Sequence, residues 1–252
     1  MNMRSAGLIA MTLGGLLAGR SADASLATTD DVASIVKSVM DDTYSAGYDA
    51  KHTCWVYRWK DEQGGQTDYC MRPGPAHVVN DHNGKTLFLS TFSVADIRDD
   101  SRFSYSHDQP GLMGAFKVRL GGKQDWTYEA FDAGTDYGTA GDCGCSEPQF
   151  VKLSNTGNYG WQFVSGGTWQ GITVSDFSIV TPLKGRMQDV SRIPRSLEQA
   201  PGVTYGITVK EDPAAKGLFP LQIVKETAGK PSETFQVSFD VAKGAYVLPA
   251  GH

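Results

Sequence analysis

Alternation of apolar and polar residues with a period of two constrains this chain more than any other feature. Phe116, Val118 and Leu120 alternate with Lys117 and Arg119, which gives a strand with one apolar and one wetted face. Gly121-Gly122 follows, and two glycines accept the positive φ angles of a tight hairpin turn. The return run Trp126-Thr127-Tyr128-Glu129-Ala130-Phe131 is rich in aromatic, strand-forming residues.

The same grammar recurs along the chain. Cys54 to Trp59 carries aromatics on alternate positions, and Gln66 to Met71 can pair back on it. Arg72-Pro73-Gly74-Pro75 is expected to break that run. Ala76 to Val79 and Thr86 to Leu89 flank Asn83-Gly84, a strong hairpin signal. A glycine-rich loop is expected from Asp132 to Pro148, containing Cys143-Gly144-Cys145. Strands are expected at Gln149–Leu153, Tyr159–Val164 and Ile172–Val180, then at Val203–Val209, Leu218–Val224, Thr234–Phe239 and Ala245–Leu248.

One helix is expected near the start. Thr28 or Thr29 can cap it, Asp30 and Asp31 suit its positive end, and Val32, Ile35, Val36, Val39 and Met40 share one face. The chain is therefore read as mainly β, an antiparallel sandwich or barrel-like set of sheets with one N-terminal amphipathic helix. The stretch 182–201, with Pro182 and Pro194 in it, is the expected break if the domain has two lobes.

Residues 1–24 read as a secretory signal. Arg4 supplies a positive start, Ala6 to Gly19 carries no charge, and Ala22-Asp23-Ala24 is a small-x-small cleavage pattern. The apolar run is short for a permanent anchor. Residues 25–252 are then a single exported β-rich domain, periplasmic or secreted, with no membrane anchor after cleavage. Cleavage takes Arg4, Arg20 and Asp23 from 23 basic and 28 acidic residues, leaving 21 and 27 and a formal charge of −6. An acidic chain without a basic cluster does not suit nucleic acid.

Four cysteines in an exported chain point to two disulfides among Cys54, Cys70, Cys143 and Cys145, with three pairings open. A redox pair at Cys143 and Cys145, or a four-thiolate metal site, is the sharper alternative. Neither a metal nor another cofactor is expected otherwise. His77, Asp81 and His82 stand close in sequence, but alternation puts His82 on the opposite face. His107-Asp108 is a possible acid–base pair, and Asp132, Asp136 and Asp142 lack the spacing of a calcium loop. Ser34-Ile35-Val36-Lys37 and Gly84-Lys85-Thr86 are fragments of catalytic and phosphate-binding motifs without their partners.

Tyr159, Trp161 and Trp169, set among Gly, Asn, Thr and Gln, are the expected ligand-binding platform, because aromatic faces beside amides and hydroxyls suit sugars and peptides. The function expected is thus non-catalytic binding of an envelope glycan, a peptide or a protein. An exported hydrolase built on His77, His82 and His107 with a carboxylate, or a thiol or metal protein using all four cysteines, are the alternatives.

Overall fold

The computed structural model describes residues 29–81, 84–95, 97, 99–121, 125–169 and 172–251. The expected signal segment lies outside the described residues, as do His82, Asn83 and Gly122. One helix, α1 (Thr29–Thr43), precedes sixteen strands. The first six form a meander: β1 (Tyr48–Asp49), β2 (Cys54–Lys60), β3 (Gln66–Asp81), β4 (Gly84–Ser93), β5 (Gly111–Leu120) and β6 (Trp126–Tyr137). Each pairs antiparallel with the next.

The second half starts with β7 (Gln149–Lys152), β8 (Tyr159–Trp169) and β9 (Ile172–Leu183), joined as a second antiparallel set. β10 (Arg186–Asp189) folds back on β9 and meets β6 in parallel at Arg186 and Phe131. β11 (Ser191–Ser196) also pairs with β9, and β12 (Val203–Val209), β13 (Leu221–Thr227) and β14 (Glu233–Val237) extend the ladder. β15 (Phe239–Asp240) pairs with β16 (Ala245–Val247), which runs parallel to β11. Within the stretch 182–201, β10 and β11 both pair with β9, as far as Ser196.

The first meander is buried on both faces. Leu87, Leu89, Leu112, Phe116 and Val118 lie in one cluster with Val39 and Met40 of α1. Phe88, Met113 and Ala115, the intervening residues, pack against Trp161 and Phe163 of β8 and Val180 of β9. The molecule is thus layered over its middle as helix, first sheet layer and second sheet layer, the two layers being parts of one continuous sheet joined where β10 meets β6. The alternation at Phe116 to Leu120 gives one wet face only at the end of β5, where Arg119 is exposed; the six residues from Gly111 to Phe116 are all buried.

Two sequence expectations change. β3 runs straight through Pro73-Gly74-Pro75, because a register shift between Pro73 and Ala76 absorbs the segment as a bulge. Proline lacks an N–H, and a bulge is where a ladder tolerates that loss. β6 continues to Tyr137, so the glycine-rich loop spans only 138–148.

Tyr44, just past α1, locks the helix to the sheet. Its buried hydroxyl donates to the Ala133 carbonyl at 2.9 Å and meets Thr91 Oγ1 at 2.6 Å. Gly114 lies directly beneath: a Cβ there would collide with Thr91 Oγ1, the Tyr44 hydroxyl and the Ala133 carbonyl. Gly114→Ala should therefore destabilise the fold by about 1–3 kcal/mol, as overpacking does. A lower urea midpoint at unchanged m-value checks it.

All four cysteines are paired, Cys54 with Cys70 and Cys143 with Cys145. β2 and β3 pair with Lys60 opposite Gln66, and Cys54 reaches Cys70 diagonally with Cα atoms 5.4 Å apart. The two bridges close loops of very different length, with sequence separations of 16 and 2. Replacing Cys54 and Cys70 together by Ala should cost about 3 kcal/mol, and replacing Cys143 and Cys145 about half as much, on loop-closure entropy. Chemical denaturation of the two double variants measures the difference.

Candidate functional site

The seam between the two sheets closes at one end and opens at the other. At the closed end an aromatic plug fills it: Phe150 stacks on His77 at 4.1 Å and on Tyr159 at 5.5 Å, with Phe88 and Trp161 against them. Further along β8 and β9 the side chains on the same face turn from apolar to polar. Trp161 and Val180 are followed by Phe163 and Ser178, then by Ser165 and Asp176, as the β8–β9 register dictates. Here the seam widens into a cavity of about 390 Å³ whose walls include Tyr137, Ser165, Asp176, Ser178, Asp189 and Arg192.

Each group is held by a nearby element. Tyr137 ends β6 and packs its ring on Phe163 at 5.0 Å. Asp189 ends β10, and its Oδ1 accepts the backbone N–H groups of Ile179 at 3.0 Å and Ser191 at 2.9 Å. Arg192 donates to the Ser191 carbonyl at 2.5 Å. Burial raises the Asp189 pKa, against the pull of the Ser191 and Ile179 N–H groups. Asp176 is raised too, by burial first and then by the neighbouring Asp189 charge. The Tyr137 hydroxyl is buried and has no hydrogen-bond partner of good geometry among the described residues. Its pKa is raised, first by burial and then by Asp189 and Asp132. A recessed hydroxyl without a partner, beside two carboxyls that resist ionisation, costs stability unless something polar satisfies it.

A second cavity of about 480 Å³ shares Ser165 with the first and runs over Ser175, Thr168 and Thr173 towards Asp142 and Arg195. Its far wall is the Cys143-Gly144-Cys145 turn. Gly144 has φ 66, and a Cβ on it would press on the Val164 carbonyl at 2.5 Å, so the turn sits flush on β8. The short disulfide therefore shapes a wall of that cavity. By the β8–β9 register Thr168, Thr173 and Ser175 stand on the face opposite Ser165, Asp176 and Ser178, so the second cavity is separate from the first, which is the seam trough.

Trp161 is fully buried inside the plug and Tyr159 is half-buried in it, because β8 faces the other sheet and not solvent. The Trp161 ring is wholly enclosed. The backbone of Trp169 ends β8, and its side chain lies outside the described residues. Among the described residues His77 and His107 do not come together; His82 lies outside them. His77 stacks in the plug, where burial lowers its pKa, and His107 Nε2 lies 3.0 Å from the Thr168 carbonyl on the rim of the second cavity. Asp108 takes a hydrogen bond from Ser106 instead. Asp132 accepts from Gly134 N and Thr135 Oγ1, and Ser34 and Lys37 are both exposed on α1, with Lys37 paired to Asp41. The four-thiolate alternative does not form, since the cysteines pair two by two at separate places.

An aromatic-lined groove does exist elsewhere. Trp59 and Tyr69 border a cavity of about 370 Å³ with Asp61, Gln63, Gln109 and Asp136. No family model, no curated protein and no solved structure matches the chain. The sequence marks Tyr137 as one of the aromatics set among Gly, Asn, Thr and Gln; it gives no signal for Asp176 and Asp189, and Asp189 lies in the mixed run Arg186-Met187-Gln188-Asp189-Val190-Ser191.

Asp189 gives a pH test. A carboxyl whose folded pKa lies above the ordinary 3.8 keeps its proton longer in the folded state. Its contribution to stability is then present in acid and is lost as pH rises above 3.8 through the raised value. Asp189→Asn keeps an oxygen for the Ile179 and Ser191 N–H groups. Urea unfolding from pH 4 to 7 should show the variant gaining stability relative to wild type as pH rises; parallel profiles would contradict the assignment.

Proposed function

We propose that the protein is an exported, non-catalytic binding protein, periplasmic or secreted, whose seam trough takes a short envelope glycan. The observation that carries this reading is the recessed Tyr137 hydroxyl, which lies beside Asp189 without a hydrogen bond of good geometry and faces a cavity with Asp176 and Ser178. Sugars present hydroxyls that both donate and accept, and the wall offers matching groups at close spacing. A cavity of about 390 Å³ lies in the usual range for small-molecule sites. Two disulfides agree with an oxidising compartment, and no helix among the described residues is long and apolar enough to cross a membrane. The formal charge of −5 for the whole chain disfavours nucleic acid as a partner.

A hydrolase is the second reading, favoured by one observation. Asp176 and Asp189 line one cavity and the pKa of each is raised, by burial first, and a carboxyl of raised pKa near a second carboxyl is what glycosidic cleavage needs. It differs from the histidine-based hydrolase that the sequence suggested.

Calorimetric titration with envelope glycan fragments and with short peptides separates these readings. Binding of a glycan without turnover, weakened roughly tenfold by Tyr137→Phe, is the expected result. Release of reducing ends that Asp189→Asn abolishes would replace binding by hydrolysis. Loss of binding in Trp59→Ala but not in Tyr137→Phe would move the site to the other groove, and binding of peptides alone would overturn the glycan assignment.

A further inference from the structure

A second cluster lies at the opposite edge of the first sheet, where β1 leads into β2. His52 is 7 % exposed, and its ring packs edge-on against the buried Phe103 at 5.6 Å. Both ring nitrogens are buried and neither has a hydrogen-bond partner of good geometry among the described residues. Carboxylates nevertheless converge on them. Nδ1 lies 3.1 Å from Asp49 Oδ2 and 3.9 Å from Asp100 Oδ2, and Nε2 lies 3.5 Å from Asp99 Oδ1.

The supporting oxygens are already fixed. Asp49 Oδ1 accepts the N–H groups of Lys51 and His52 at 3.0 and 3.1 Å, and Asp100 Oδ1 accepts that of Arg102 at 3.1 Å. This leaves the two Oδ2 atoms turned towards the imidazole. One cation already bridges them: Arg102 Nη2 lies 2.9 Å from Asp49 Oδ2 and 2.6 Å from Asp100 Oδ2. Arg102 Nε also donates to Asp100 Oδ1 and Oδ2 at 3.1 and 3.2 Å, its Cζ lies 5.0 Å from the Phe103 ring centre, and its side chain is half exposed, so solvent can take it up when a stronger cation displaces it. Lys51 pairs with Asp99 at the rim.

We propose that Asp49, His52 and Asp100 form a binding site for a divalent transition-metal ion of the zinc class, which displaces Arg102 from between the two carboxylates. The three donor atoms lie within 4.8 Å of one another. Zinc bonds to nitrogen and carboxylate oxygen are about 2.0–2.2 Å long, so two ligands of one ion stand no more than about 4.4 Å apart. The distances of 3.1 and 3.9 Å from Nδ1 meet that limit as they stand. An imidazole nitrogen with two carboxylates selects zinc or a neighbouring transition metal over calcium and magnesium, which require more oxygen ligands. Three protein ligands also leave a coordination position for water. Asp99 stands on the far ring nitrogen, where a carboxylate orients a metal-bound histidine.

The sign of one variant separates a metal site from an ordinary ion-pair network. The oxidised full chain is titrated with zinc chloride and, in parallel, with calcium chloride, by calorimetry and native mass spectrometry. One zinc per chain and no calcium are expected. Asp49→Asn keeps the Oδ1 acceptor and should weaken zinc binding at least tenfold. Arg102→Gln removes the competing cation and should tighten it by roughly tenfold, a gain that partial unfolding cannot imitate. Absence of zinc binding in both wild type and Arg102→Gln would overturn the proposal. So would zinc binding that Asp49→Asn leaves unchanged, since the ion would then sit on another histidine.

Discussion

The first sheet is buried on both faces, and the rest of the structure depends on that. Leu87 and Leu89 face α1 while Phe88, between them, faces β8 and β9. A strand with two apolar faces cannot sit at the surface, so each half of the chain needs the other to cover it. The helix covers one side, and the second sheet covers the other. Tyr44 and Gly114 make the helix fit: the tyrosine hydroxyl bridges Thr91 and Ala133, and only glycine leaves room beneath it.

The trough follows from the same packing. Two twisted sheets cannot stay in contact along their full length. Where they meet closely, Trp161, Phe150 and Phe88 fill the gap; where they part, the same faces of β8 and β9 carry Ser165, Ser178 and Asp176. The polar residues are therefore laid on a rigid floor, and the Cys143–Cys145 turn fixes a wall of the second cavity against β8. Rigid support of this kind is what precise recognition requires. The Asp49–His52–Asp100 cluster stands on a different support, held by Phe103 and by the diagonal Cys54–Cys70 bridge behind it.

Much of the local structure was legible because it depends on short-range chemistry. The helix face from Val32 to Met40 and the strand Val203–Val209 follow from spacing and strand-forming residues. Reading failed where a long-range contact decides. Pro73-Gly74-Pro75 looks like a stop, yet β4 pairs on both sides of it and turns it into a bulge. Trp161 among Gly and Gln looks like a sugar platform, yet the opposite sheet seals it. The unplaced segment from Val94 to Pro110 supplies Asp100, Arg102 and the buried Phe103, none of which carries a periodic signal.

Sequence by itself determined that this chain is mainly β with one N-terminal amphipathic helix, and that its cysteines suit two bridges, because alternation, capping and turn chemistry act between near neighbours. Only the tertiary structure decided which cysteines pair, which face of each strand is covered, and which side chains meet in the trough and around His52. Those choices depend on contacts between residues far apart in the chain, such as Asp49 with Asp100 and Tyr137 with Phe163, and no local pattern encodes such distances.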